Sequence, residues 1–248
     1  TGDWSSDVCS SDLGDEKSLV AFLQSKDAPA TVSNAKDHSG VPAIVFAASR
    51  GHHNIVKLLV NNQANVNVPE DHSKRTALMR ACQGGFVKVS TRIDHFHGRK
   101  NNANPEFFFA FSIGPSQTIE CLLKHGADPA KTDLCGRTAA HWAAIGGQVE
   151  AVRVLFSNHA NKVNDPDDSG YSCLLHACEH GYGEVVTFLL SIEGINPLIE
   201  NAIGYTATGL AKWYGHKDIF RHVLDKSGGA QKDVNSSNLT ADIGTAVG

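Results

Sequence analysis

The sequence predicts an all-α fold, a solenoid of stacked helix-turn-helix repeats, and three observations carry that expectation. A glycine-type position recurs at Gly40, Lys74, Gly136, Gly170 and Gly204, and three of the four gaps between these residues are 34 residues long. Each is flanked by the same pair: an acidic or amide residue three positions earlier (Asp37, Asp71, Asp133, Asp167, Asn201) and an alanine seven positions later (Ala47, Ala81, Ala143, Ala177, Ala211). A second glycine follows (Gly51, Gly85, Gly147, Gly181, Gly215), and beyond it runs an apolar stretch at helical spacing, such as Ile55, Val56, Leu58 and Leu59.

Each part of the unit has a physical task. Thr76, Thr138, Ser172 and Thr206 precede the short first helix, where a side-chain oxygen can accept from an orphan amide. The second glycine can take the positive φ that ends that helix. One helix pair has too little apolar surface to be stable alone, so neighbours must stack and bury a shared core.

Residues 3–13, Asp3 to Leu13, resemble the in-frame translation of a sequencing-library adapter and have no apolar period, so 1–13 is set aside as an artefact or disordered leader. The array is expected over residues 14–225. It opens with Asp15 to Phe22-Leu23, the second helix of a repeat whose first helix is missing, which predicts exposed apolar surface at that end. Repeat one runs from Asp37, repeat two from Asp71, and repeats three and four from Asp133 and Asp167. Repeat five, from Asn201, places Lys212 where other copies hold Ala or Cys, as a terminal cap would. Residues 226–248 turn to Ser, Gly, Asn, Asp and Thr and predict a disordered tail.

Thr138-Ala139-Ala140-His141-Trp142-Ala143, with the turn Gly126-Ala127-Asp128-Pro129, resembles the ankyrin repeat. The resemblance implies an ankyrin-type solenoid over most of the chain. It also implies a thinned hydrogen-bond relay between repeats, because the signature His survives only at His141, its slot elsewhere being Val45, Met79, Leu175 and Gly209. Repeat two departs from the pattern: Phe86-Val87-Lys88 and Thr118-Ile119-Glu120 read as one helix interrupted by 29 residues, Val89 to Gln117. An insertion inside a helix, rather than in a loop, suggests a retained intron. The competing reading of 89–117 is a functional loop presenting Phe107, Phe108, Phe109 and Phe111.

Composition narrows the function classes. The 248 residues carry a formal net charge of -4 with no run of Lys or Arg, which argues against a nucleic-acid surface. No apolar stretch approaches membrane-spanning length. Six cysteines without CxxC pairs fit a reducing, intracellular compartment, cytoplasmic or nuclear. Cys173, His176, Cys178 and His180 have a spacing that suits zinc, but each falls in a slot with a structural role, so no metal and no cofactor are assigned. No nucleophile motif or phosphate loop is present, and no catalytic residue is assigned.

A binding surface remains. In a stacked array the turns and short helices line a concave side whose residues can vary without touching the core. Arg50, Arg75 and Arg137 fall there in the first half, and Tyr171, His180, Tyr205, Trp213 and Tyr214 in the second. These residue types carry most interface hot spots. The expectation is a monomeric, non-catalytic module that binds a protein partner; the alternative is a regulatory array of a larger enzyme or membrane protein. Asn67, eight residues after Leu59 in an inter-repeat turn, resembles the asparagines hydroxylated in this family.

Overall fold

The computed structural model describes residues 34, 36, 39–84, 114–157 and 162–228. Ten helices of 7 to 11 residues occur among them: α1 Ala43–Ser49, α2 His53–Asn61, α3 Ala77–Gln83, α4 Gly114–Lys124, α5 Ala139–Gly146, α6 Val149–Ser157, α7 Cys173–His180, α8 Gly183–Ser191, α9 Ala207–Trp213 and α10 Lys217–Lys226. The only β-pairing among the described residues is an isolated bridge between Lys36 and Pro42. The chain divides into two compact units, Thr1–Asn158 and His159–Gly248. The expectations for residues 1–13, for the helix from Asp15 to Leu23 and its exposed apolar surface, for 89–113 and for 229–248 lie outside the described residues.

In the first unit the short helices form one row, α1 on α3 and α3 on α5, and the longer helices a second, α2 on α4 and α4 on α6. Ile44, Val45, Val56, Leu78, Met79, Ile119, Leu122 and Val152 fill the space between the rows and are essentially inaccessible. Burying each such side chain stabilises by about 2 kcal/mol. The second unit repeats the plan with α7 on α9 and α8 on α10, around Leu174, Leu175, Val186, Leu189 and Leu190. In α4 the first turn comes from Gly114 to Gln117, the end of the segment that interrupts repeat two.

The predicted caps form. Thr76, Ser172 and Thr206 accept from Met79 N, Leu175 N and Gly209 N. His141 Nδ1 accepts from Thr138 N at 3.2 Å and lies 2.9 Å from Thr138 Oγ1, closing the turn from the side-chain end. Gly147 and Gly181 end their helices in the left-handed region, with φ of 67° and 76°. In repeat two the capping residue is Gly84 (φ 69°), one earlier than the sequence spacing suggests; Gly85 lies outside the described residues.

All five residues of the recurring glycine-type slot have positive φ: Gly40 73°, Lys74 58°, Gly136 71°, Gly170 78° and Gly204 92°. The turn geometry is therefore kept in repeat two although a side chain must be accommodated there. Backbone bonds tie neighbouring turns within each unit, from Asp71 N to Gly40 O (3.2 Å), from Leu134 N to Ser73 O (3.4 Å) and from Ala202 N to Ser169 O (3.0 Å).

Candidate protein-binding face

The turn is built on a buried Asx side chain. Asp133 Oδ1 accepts from Cys135 N (2.9 Å) and Arg137 N (3.0 Å), Asp167 Oδ1 from Ser169 N and Tyr171 N (both 2.9 Å), and Asn201 Oδ1 from Ile203 N (3.1 Å) and Tyr205 N (2.9 Å). Arg137, Tyr171 and Tyr205, the residues after the glycine, are thus held in one register by their own amides. The second oxygen of each aspartate takes a donor nine residues on: Trp142 Nε1 reaches Asp133 Oδ2 at 3.0 Å, and His176 Nε2 reaches Asp167 Oδ2 at 3.0 Å. In repeat five that position is Leu210, which has no donor, and the neutral Asn201 replaces the carboxylate. An aspartate there would bury a charge with one partner fewer.

Repeat two solves the same problem differently. Glu70, not Asp71, is the buried acid at the base of the turn, its N–H donating to Arg75 O at 2.9 Å across one extra residue. Arg80 clamps it with two bonds, Nε to Oε1 at 2.7 Å and Nη2 to Oε2 at 2.9 Å, and Ser73 Oγ donates to Oε2. Asp71 is exposed and pairs with Lys36. Counting backwards from the glycine slot missed this, because the extra turn residue shifts the acid by one.

The sequence-predicted arginines of the first unit have different fates. Arg50 is exposed, with its guanidinium 5.4 Å from the Phe46 ring centre. Arg75 lies 3.7 Å over the Trp142 ring, with its Nε 3.8 Å from Asp133 Oδ2, and Arg137 flanks the same ring at 5.4 Å. Burial is the main cause of a lowered Arg75 pKa, and the charge of Arg80 the second, while Asp133 and Glu70 oppose both. Two of the three arginines are therefore engaged on one tryptophan. Leu134, at the tip of the same turn, is 64% exposed.

In the second unit the predicted aromatics cluster. Tyr205 and Trp213 have ring centres 6.3 Å apart, and Tyr214 stacks on His216 at 6.5 Å. Tyr214 OH donates to Glu179 Oε1 at 3.0 Å, and His216 Nε2 lies 3.1 Å from Glu179 O. Tyr171 stacks on the buried His176 at 4.9 Å, and His180 stacks on Tyr182 at 6.0 Å. Trp213 is 59% exposed, Tyr214 44% and the turn-tip Ile203 75%, three of the four large apolar side chains that stand exposed among the described residues.

The remaining candidates take structural places. Burial pushes the Cys173 thiol up to about 12 and the Cys178 thiol higher still, as befits side chains packed in the helical core. His176, Glu179 and His180 bring ligand atoms within 4.8 Å of one another. Asp167, Tyr214 and the His176 carbonyl already engage them. Asn67 bridges two turns: Nδ2 donates to Gly126 O and Oδ1 accepts from Asp128 N, both at 2.8 Å. Asn164 makes the same bridge to Gly194 O (2.7 Å) and Asn196 N (2.9 Å).

Paired helices joined by turns that keep one register, repeated within each unit around that unit's own core, define a helical repeat array. The chain belongs to the ankyrin-repeat family: residues 8–93 and 107–201 match the family described as ankyrin repeats (3 copies). It is similar to neurogenic locus notch homolog protein 1 from Danio rerio, 31% identical over 138 residues that make up 54% of this chain and 6% of that protein. The human protein of the same name is 29% identical over 154 residues (56% of this chain, 6% of that protein), and that of Xenopus tropicalis 30% over 138 residues (54% and 5%). The chain thus matches no more than 6% of the length of these relatives. Ankyrin repeats are in general protein–protein interaction modules, and the family is typically non-catalytic. No described helix is long and apolar enough to cross a membrane.

Proposed function

We propose that the chain is a non-catalytic module that binds a partner protein through the turn-and-short-helix face of its repeats, the concave face of an ankyrin array. The observation that carries this reading is the exposure of Trp213, Tyr214 and Ile203 beside the half-buried Tyr171, Tyr205 and His180. Large side chains held in fixed positions lose little entropy when a partner covers them, which is why aromatics dominate hot spots. Arg50 is the first-unit residue of the set with the most accessible side chain, while Arg75 and Arg137 contribute through the ring they share. The five described cysteines are free thiols, which supports an intracellular setting.

Affinity capture from cell extract with the full chain, compared with a Trp213→Ala/Tyr171→Ala double variant, tests the reading. Specific partners should fall at least ten-fold in recovery with the variant, as loss of a hot-spot residue implies. Equal recovery by both proteins removes the proposed face. A second reading, a regulatory array within a larger enzyme or membrane protein, is supported by the small share of its relatives that the chain covers. Transcript sequencing decides it: further coding sequence with its own motifs favours this reading. The same transcripts test the intron reading, since a form lacking residues 89–117 is expected. Asn67 is proposed as a hydroxylation site, to be read as a gain of one oxygen by mass spectrometry.

A further inference from the structure

We propose that the aromatic face of the second unit receives a side-chain cation, an arginine or lysine from a basic segment of the partner protein, with Trp213 and Tyr205 offering ring faces and Glu179 the countercharge. This rests on the interaction-face reading above and adds to it the chemistry of the occupant.

The first unit shows a cation held between a ring and a carboxylate, built from slots other than those of Trp213 and Glu179. There the Arg75 guanidinium lies 3.7 Å over the Trp142 ring and pairs with the Asp133 carboxylate, so one cation is held between a ring and a charge. In the second unit the slot of Arg75 and Arg137 holds Tyr171 and Tyr205, and no arginine occupies these positions. The second unit's exposed ring and its carboxylate, Trp213 and Glu179, stand nine residues after the glycine slot, where the first unit has Ser49, Gln83 and Ile145.

Glu179 is placed for the part. It stands 34 residues before Trp213, in the same slot of the preceding repeat. Its main chain is fixed by His216, and its Oε1 accepts from Tyr214 OH at 3.0 Å, so the carboxylate is oriented toward the aromatic cluster rather than swinging in solvent. One hydrogen bond leaves most of a carboxylate's acceptor capacity for an incoming N–H. The charge is felt across the face: after burial, Glu179 is the largest cause raising the Tyr171 pKa, with Tyr205 a smaller one and Asn201 opposing. Trp213 is 59% exposed, so a guanidinium can reach its face without moving the fold. Lys212 is exposed and adjoins Trp213 in sequence, but successive helix residues diverge by about 100°, so it need not share the face.

A random peptide library displayed on phage, panned against the full chain with Trp213→Ala as the counter-selection, tests the inference. The expected result is a set of Trp213-dependent peptides enriched in arginine or lysine. A synthetic copy of the best peptide should lose about five- to ten-fold in affinity when its arginine becomes neutral citrulline. It should lose about three-fold toward Glu179→Gln, a near-isosteric change that removes only the charge. Circular dichroism melts of both variants should match the parent, since both side chains reach solvent. Trp213-dependent peptides without cation enrichment, indifferent to Glu179→Gln, overturn the cation inference and leave the interaction face standing. Acid-enriched peptides that bind better to Glu179→Gln also overturn it. If no selected peptide depends on Trp213, both the inference and the face fail.

Discussion

The two units use one turn design and spend its outward residue differently. In the first, the residues after the positive-φ slot are Val41, Arg75 and Arg137, and both arginines are drawn onto Trp142, with Asp133 neutralising the nearer. In the second, the same positions are Tyr171 and Tyr205, which cannot form ion pairs with the buried acids and instead join a row of rings that ends at the exposed Trp213. The short helices differ in the same sense. Gly146 of α5 lies so close to α3 that a Cβ would stand 2.0 Å from Gln83 O, whereas the residues 34 and 68 positions on are His180 and Tyr214. A repeat backbone fixes where a side chain points, and the residues around it decide whether that side chain is used for cohesion or left for a partner.

The largest expected effect breaks this comparison at its tightest point. Gly146→Ala puts a methyl group into a backbone carbonyl, which cannot turn aside as a flexible side chain can. The row of short helices must separate, at a cost of about 3 kcal/mol. His180→Ala, in the equivalent slot of the second unit, removes a half-buried ring and one bond to the His176 carbonyl, and should cost about 1 kcal/mol. Urea denaturation followed by circular dichroism compares them, and equal losses would show that the close approach does not matter.

Much of this was legible in the residues. The 34-residue spacing gave the helix pairs, and the slot of Gly40, Gly136, Gly170 and Gly204 was read from spacing alone and has positive φ throughout. Thr76, Ser172 and Thr206 cap as their chemistry suggests. What the spacing could not show was pairing across repeats. Arg75 and Trp142 are 67 residues apart, on either side of the interruption in repeat two, and nothing local marks them as partners. Glu70 was hidden for a related reason: one added turn residue is invisible until the backbone bond to Arg75 locates the acid. The aromatic face was visible as residue types, but Glu179 joined it only through the Tyr214 hydroxyl.

A smaller effect tests a point at which the units should behave alike. Cys82 in the first unit and Cys178 in the second fill the same slot, and burial raises both thiols far above their ordinary pKa, as it raises Cys173 to about 12. A raised folded pKa means that the unfolded chain ionises first. Their contribution is therefore complete below pH 8.5 or so and is withdrawn as pH rises, by up to about 1.4 kcal/mol per pH unit for each thiol. Cys82→Ala and Cys178→Ala, which place in each slot the residue found at Ala48 and Ala144, should each recover about 2 kcal/mol at pH 10 relative to pH 7.5. Urea midpoints at the two pH values check it; a pH dependence unchanged by either variant would rule out the thiols as its source.

The smallest effect has the opposite sign and concerns the one slot residue that breaks the glycine pattern. Lys74 holds φ at 58°, where a side chain crowds its own backbone, while the other four copies avoid the conflict with glycine. Lys74→Gly should therefore stabilise the first unit by about 1 kcal/mol, less the entropy that glycine adds to the unfolded chain. Lys74→Ala, which keeps the conflict and removes only the charge, should not stabilise. The charge has its own signature, because Lys74 is one of the minor causes, behind the hydrogen bond from Lys36, that lower the Asp71 pKa. A lowered folded pKa contributes stability above the unfolded value and loses it as pH falls. The gain from Lys74→Gly should accordingly grow slightly as pH falls through the lowered folded pKa of Asp71, where the carboxylate takes up its proton and the lost attraction no longer counts. Urea midpoints for the three proteins, followed from pH 7 down to the lowest pH at which they stay folded, separate the two contributions, and stabilisation by Lys74→Ala equal to that by Lys74→Gly would assign the effect to charge rather than to backbone conformation.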